Sequence, residues 1–212
     1  HEPDEIPYIV MSTVAETLKQ RGLLGKKVIG ARAGEQVLDL HASAPEDDLV
    51  PIEVSDDDPD ALMILRHTAA HVMADAVQRL FPGTKVTIGP AIDDGFYYDF
   101  DRPEGAFSEA DLEVIEKQMS SIIRENLELR REQVSRDEAA RRFGQMDETY
   151  KLELLDAIEA DEPVTLYHHG EWVDLCRGPH LPSTGRIRAF KLMKVAGAYW
   201  RGDEHNKMLS RI

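Results

Sequence analysis

The stretch DPDALMILRHTAAHVMADAVQRLFPG, from Asp58 to Gly83, decides how this chain is organised. Asp58 is a good N-cap, Pro59 suits the first helical position, and Phe81-Pro82-Gly83 cannot prolong a helix, so the pattern predicts one long helix from Pro59 to Leu80. Leu62, Leu65, Ala69, Val72, Ala76 and Leu80 recur at helical spacing and form its expected core stripe. At about 100° per residue His67 and His71 fall on another face, beside Met63, Ile64, Ala74 and Gln78, whereas Arg66, Asp75 and Arg79 stay off it. Two imidazoles among small and apolar neighbours are expected to line a cavity.

Toward the N-terminus, the acidic run Ser55-Asp56-Asp57-Asp58-Pro59-Asp60 marks a domain boundary. Ahead of it lie an apolar strand from Tyr8 to Met11, a helix capped by Thr13 with Glu16, and a hairpin from Lys27 to Ala33 turning at Gly34 into Gln36 to Leu40, a small β-α-β-β module. On the other side, Lys85 to Ile92 and Phe96 to Phe100 read as a hairpin around Asp93-Asp94-Gly95, with positive φ expected at the glycine and Tyr97 and Tyr98 pointing to opposite faces. A second helix is capped by Ser108 with Asp111 and buries Leu112, Ile115, Met119 and Ile122. Then follow a strand from Leu127 to Val134, a short helix capped by Ser135 with Glu138, a helical piece from Tyr150 to Ile158, and a hairpin of Val164 to His168 with Trp172 to Leu175. The last of these delivers Asp174 and Cys176 at a strand end.

The composition sets limits on function. A content of 42% apolar residues over 212 suffices for a real core, and no apolar run nears the roughly 18 residues of a membrane span. The acidic start His1-Glu2-Pro3-Asp4-Glu5 does not resemble a secretory signal, and the single Cys176 cannot form an internal disulfide, so a soluble, cytoplasmic protein with no membrane partner is expected. With no initiating Met, the chain is expected to begin inside a longer gene product. A formal charge of −15 argues against nucleic acid, but residues 177–212 hold 8 basic and 2 acidic side chains, a local positive rim.

Histidines at i and i+4 can hold one metal ion or one water between them, yet a lone pair of this kind is more often core or surface filling. Thr68 stands where a His-Glu-x-x-His protease would place its glutamate, which excludes that chemistry. Cys176 and His180 again lie four apart, in a loop stiffened by Gly178-Pro179 and preceded by Asp174. His67, His71, Cys176 and His180 can be read as a tetrahedral zinc site, closed if all four ligate, or as a metal-free site whose neutral imidazoles position and deprotonate water. Lys151 could supply fixed positive charge beside a developing oxyanion, although isolated helix lysines usually just solvate.

Taken in order, Arg66-His67-Thr68-Ala69-Ala70-His71, Ile88-Gly89-Pro90, Asp94-Gly95-Phe96-Tyr97-Tyr98-Asp99, Tyr150-Lys151, Asp174-Leu175-Cys176-Arg177-Gly178-Pro179-His180, Phe190-Lys191-Leu192-Met193 and Ala198-Tyr199-Trp200-Arg201-Gly202-Asp203 resemble the N-terminal portion of bacterial-type threonyl-tRNA synthetases. The resemblance implies an α+β fold: a small ubiquitin-like (β-grasp) TGS module over residues 1–57, then an editing domain over 58–212 with a mainly antiparallel sheet and a long helix. It also implies a hydrolase that removes serine wrongly attached to the 3′ aminoacyl end of threonine tRNA. His67, His71, Cys176 and His180 match the editing quartet, while Tyr98, Lys151 and Asp174 match its supporting residues. His67 or His71 would activate water, Lys151 would steady developing charge or the terminal ribose, and Asp174 with Tyr98 would orient the serine amine and hydroxyl. Cys176 and His180 would shape the wall.

Related alanyl-tRNA editing proteins hold zinc with such a quartet. The threonyl branch is expected to need no cofactor for editing. No ATP-binding aminoacylation body has a counterpart here, so either a fragment or a free-standing editor is expected. Two rival readings remain: a zinc-stabilised RNA-binding module without catalysis, and a zinc hydrolase acting on small esters or amides.

Overall fold

Thr13 and Glu16 cap each other, the Thr13 hydroxyl accepting the Glu16 N–H at 3.2 Å and the Glu16 carboxylate accepting the Thr13 N–H at 2.8 Å, and so open α1 (Val14–Gln20). This is a computed structural model, and it describes residues 12–160 and 162–212. The strand expected over Tyr8 to Met11 lies outside the described residues. After α1 come β1 (Val28–Ala33), β2 (Gln36–Asp39) and β3 (Leu49–Glu53), an antiparallel sheet in the order β2-β1-β3.

Asp58 then caps α2 (Pro59–Leu80), with the bounds its capping and stop residues predict. The Asp58 carboxylate also holds Arg32 of β1, which reaches Asp60 as well, so the helix start is tied to the first sheet. A cap of this kind contributes about 1 kcal/mol.

β4 (Lys85–Val86), β5 (Ala91–Ile92), β6 (Gly95–Phe96) and β7 (Asp99–Asp101) form the next hairpin in two pieces, β5 on β6 at the tip and β4 on β7 at the base. Gly95 is not at positive φ, contrary to expectation: Asp93 and Asp94 make the turn and the glycine already belongs to β6. Tyr98 is buried and Tyr97 lies partly open under Arg211, on opposite faces as expected. The chain continues through α3 (Glu109–Glu125), β8 (Leu129–Val134), α4 (Arg136–Gln145), α5 (Thr149–Asp156), β9 (Val164–His169), β10 (Trp172–Leu175), β11 (Ala196–Tyr199) and β12 (Met208–Arg211). Two further antiparallel sheets result, β10-β9-β8 and β11-β12-β7-β4. No helix among the described residues is long and apolar enough to cross a membrane.

The predicted core stripe of α2 is only half right. Ala69, Val72 and Ala76 are fully buried, but Leu62, Leu65 and Leu80 are half-exposed, and every residue from Thr68 to Val77 is shielded. A stripe assumes a helix covered on one side. Here Ile29 and Ile52 of the first sheet, Ile115, Met119 and Ile122 of α3, and Val86, Phe100 and Trp172 of the later strands share one apolar cluster with Ile64, Met73 and Val77. Each such side chain contributes about 1.5–3 kcal/mol when fully buried. Asp75, whose charge places it on no apolar face, is buried too, held by Arg79 and by His169 at 3.0 Å.

Candidate functional site

One turn of α2 brings His67 above His71, and β10 carries Asp174 toward them before the loop Cys176 to His180 crosses their faces. The loop needs glycine at position 178. Its φ is +78°, and a Cβ there would sit 2.2 Å from the Tyr167 hydroxyl. Cys176 Sγ lies 3.3 Å from both His67 Nε2 and His180 Nε2, the His67 and His180 rings stack at 4.2 Å, and one ligand atom from each of His67, His71, Cys176 and His180 falls within 4.8 Å of the others. His71 and His180 are closed off from solvent, whereas His67 and Cys176 are partly open and form the accessible side. Cys176 also lines a cavity of about 280 Å³ with Leu154, Ile158, Thr165 and Arg177. A larger one, about 830 Å³ between α3 and residues 187–191, shares no residue with the quartet.

Hydrogen bonds fix the tautomers. His67 Nδ1 faces the Pro179 carbonyl at 3.2 Å and must donate to it. The Thr68 hydroxyl gives its proton to the Ile64 carbonyl, so it can only accept from His180 Nδ1, 3.3 Å away. Both rings therefore turn an Nε2 lone pair toward the Cys176 thiol, which has one proton to share between them.

Charge in the site is confined to one side. Burial holds His67 below the ordinary histidine range, and burial together with the neighbouring imidazoles holds His71 and His180 well below it. The Cys176 thiol is pushed up to about 12 by burial and by the Asp174 charge. At neutral pH the quartet is three neutral imidazoles and a thiol. Beside it Lys151 Nζ lies 2.5 Å from Asp174 Oδ1 and donates to the Thr87 carbonyl at 2.7 Å and the Tyr98 hydroxyl at 2.9 Å. Tyr98, held protonated by burial and the Asp174 charge, donates in turn to Asp174 Oδ2 at 2.6 Å.

The donor set fits a metal ion. Three imidazoles and one thiol with mutually close ligand atoms, two of the rings fixed through Nδ1 by a carbonyl and a hydroxyl, suit a tetrahedral zinc. His67, His71, Cys176 and His180 would hold it, and binding would expel the thiol proton. With all four ligating, the site would be closed and structural; polarising a carbonyl or acidifying a water would require one ligand to give way.

Comparison with known proteins follows the same residues. Residues 164–212 match the threonyl and alanyl tRNA synthetase second additional domain. Over 201 residues the chain is 57% identical to a threonine-tRNA ligase of Oleidesulfovibrio alaskensis, covering 93% of this chain and 31% of that protein. It is 53% identical over 203 residues to that of Thiobacillus denitrificans, covering 94% and 32%, and 53% identical over 189 residues to that of Listeria monocytogenes, covering 89% and 29%. By descent the chain belongs with the threonyl-tRNA synthetases. It spans about a third of the length of these relatives. In this synthetase-related chain the matched second additional domain begins at β9 and takes in Asp174, Cys176 and His180, while His67 and His71 come from α2, outside it.

All seven residues singled out in the sequence, His67, His71, Tyr98, Lys151, Asp174, Cys176 and His180, meet in one place. Sequence reasoning missed Thr68 as a partner of His180, and missed Asp39 and Tyr167 altogether. Thr68 was open to discovery, since it lies between the two histidines. Asp39 and Tyr167 carry no spacing signal linking them to position 180.

Proposed function

We propose that this chain carries a deacylation site that hydrolyses serine from mischarged threonine tRNA, with the 3′ aminoacyl end of the tRNA as its partner. The observation that supports it is the meeting of His67 and His71 with Cys176 and His180, more than a hundred residues away in the sequence, beside the Lys151–Asp174–Tyr98 network. A water at the open side gives a proton to the Nε2 lone pair of His67 as its oxygen attacks the ester carbonyl. The tetrahedral oxyanion then collapses, the bond to the ribose oxygen breaks, and that oxygen takes the proton back. Lys151 is closed off and paired with Asp174, so its charge offsets that carboxylate and holds Asp174 and Tyr98 in place beside the reaction centre. Asp174 and Tyr98, joined at 2.6 Å, orient the serine amine and hydroxyl in this reading.

Editing is the chemistry such a site would be kept for. A synthetic pocket gains only about 1–3 kcal/mol from threonine's extra methyl, so serine must be removed after the fact. We read residues 1–57 as a separate β-grasp module and 58–212 as the editing domain, joined at the acidic run ending in Asp60. Reaction requires no cofactor in this reading. The fitting donor set favours a second reading, in which zinc at the quartet stabilises an RNA-binding module without catalysis.

Deacylation of seryl- and threonyl-tRNA by the chain, with and without chelator and with His67→Ala, separates the two. Preferential serine release that survives chelation and falls about 100-fold or more in the variant is expected. Equal cleavage of both esters, or unfolding on chelation, counts against editing.

A further inference from the structure

Asp39 ends β2, in the N-terminal part of the chain, yet its side chain lies in the wall of the site. It is 1% exposed, and its carboxylate is fully used. Oδ1 accepts the His41 and Ala42 N–H groups, each at 3.0 Å, which close a local turn. Oδ2 accepts the His180 N–H at 3.0 Å and the Tyr167 hydroxyl at 2.6 Å. The Tyr167 ring packs 4.6 Å from the His180 imidazole, and Gly178 passes so close that an added Cβ would lie 3.1 Å from Asp39 Oδ2. Thr68 holds the imidazole end of His180, and Asp39 holds its backbone.

We propose that Asp39 is a positioning residue for His180, and that docking of the first sheet onto α2 completes the hydrolytic site. The proposal rests on the deacylation reading for its kinetic consequence, but its structural content stands alone. The docking is broad: Arg32 grips Asp58 and Asp60, Ile29 and Ile52 pack in the α2 cluster, and Arg186 donates to the Lys26 carbonyl at 2.6 Å. A carboxylate suits this junction because four donors converge on it. Neither an amide, with acceptors on one atom only, nor a hydroxyl can accept all four. Without it the Cys176 to His180 loop loses its anchor on the side away from α2, and small displacements of reacting groups are costly in rate.

The test uses the full chain with Asp39→Ala, Asp39→Asn and Tyr167→Phe, and Val14→Ala as a control that weakens the first module's own small core without touching the site. Expected is a fall in kcat for seryl-tRNA of about 10- to 100-fold in Asp39→Ala with KM within about twofold, a smaller fall in Tyr167→Phe, and wild-type kcat in folded Val14→Ala. The His180 amide proton, observed by NMR on labelled protein, should move upfield in both Asp39 variants while α2 resonances hold. A kcat for Asp39→Ala equal to that of Val14→Ala, or an unmoved His180 amide, overturns the proposal. If the wild-type chain cleaves neither ester, the deacylation reading fails, and the amide shift alone decides whether Asp39 positions His180.

Discussion

Lys151 Nζ lies 2.5 Å from Asp174 Oδ1, and each residue is only 2% exposed. The contact is close but poorly directed for a hydrogen bond at that oxygen, so attraction between the charges dominates it. The directed bonds of Lys151 go instead to Thr87 and Tyr98. A buried ion beside the quartet thus has one counter-charge at contact distance.

Removing either partner should therefore be severe. Lys151→Ala strands a buried carboxylate and Asp174→Ala strands a buried ammonium, and each is expected to cost about 3–5 kcal/mol in urea denaturation. The double variant Lys151→Met/Asp174→Leu should recover part of that loss, since no uncompensated charge remains. Losses under about 1 kcal/mol in both single variants would show that water reaches the pair.

Cys176 should behave as a thiol and not as a nucleophile. With its pKa pushed up to about 12, against an ordinary value near 9, its thiolate fraction at pH 7.5 is lower by about 1,000-fold. Alkylation by iodoacetamide should be correspondingly slow in the folded chain and become fast in denaturant. Rapid modification of the native protein would mean that the sulfur is ionised, and the three-neutral-imidazole account of the site would fall with it.

What could be read in advance was whatever local chemistry encodes. The caps at Thr13, Asp58, Ser108 and Ser135 and the stop at Phe81-Pro82-Gly83 set helix ends through bonds made within a few residues, and each appears where expected. The hairpin β9–β10 was legible for a similar reason, and so was each i, i+4 half of the quartet, whereas the joining of the halves was carried by the family resemblance. The full enclosure of α2 was not, because a periodicity records which face is apolar and says nothing of the first sheet, α3 and the later strands that cover the rest. Ala196 to Tyr199 is too short to announce β11, and its partner β12 joins the sheet only by pairing with β7 about a hundred residues back in the chain. Asp39 stayed hidden because a single aspartate at a strand end normally meets water.

Acid should loosen the fold earlier than carboxylate titration alone would. His67, His71 and His180 are held below their ordinary value of 6.5, chiefly by burial, and His168 is lowered by burial as well. Between the folded and unfolded values the unfolded chain binds protons that the folded chain does not, so stability is complete above about pH 6.5 and falls as pH drops below it. Each such histidine adds up to about 1.4 kcal/mol per pH unit to the slope. Urea midpoints at pH 7.5 and 5.5 measure this, and His71→Asn should flatten the dependence. A flat wild-type profile would mean that the imidazoles are hydrated.

The tightest backbone approach near the site offers the most specific substitution. A Cβ on Gly89 would lie 2.1 Å from Tyr98 Cδ2, inside the ring's contact surface, and Tyr98 is 1% exposed with its hydroxyl bonded to both Asp174 and Lys151. Its own backbone is pinned by paired bonds with Ile212, at 3.0 and 3.1 Å, and Phe100 stacks beside it at 5.3 Å. The ring cannot yield without pulling its hydroxyl from the charged pair. Gly89→Ala is therefore expected to destabilise by about 1–3 kcal/mol and, on the deacylation reading proposed above, to lower serine release, whereas Tyr98→Phe, which keeps the ring and loses only the hydroxyl, should leave packing nearly intact. Combining the two should restore part of the stability lost in Gly89→Ala, because the phenylalanine ring has no polar bond to hold it against the added methyl. If the double variant is instead less stable than Gly89→Ala by the full cost of Tyr98→Phe, the two changes act independently, and the methyl does not act by displacing the Tyr98 hydroxyl.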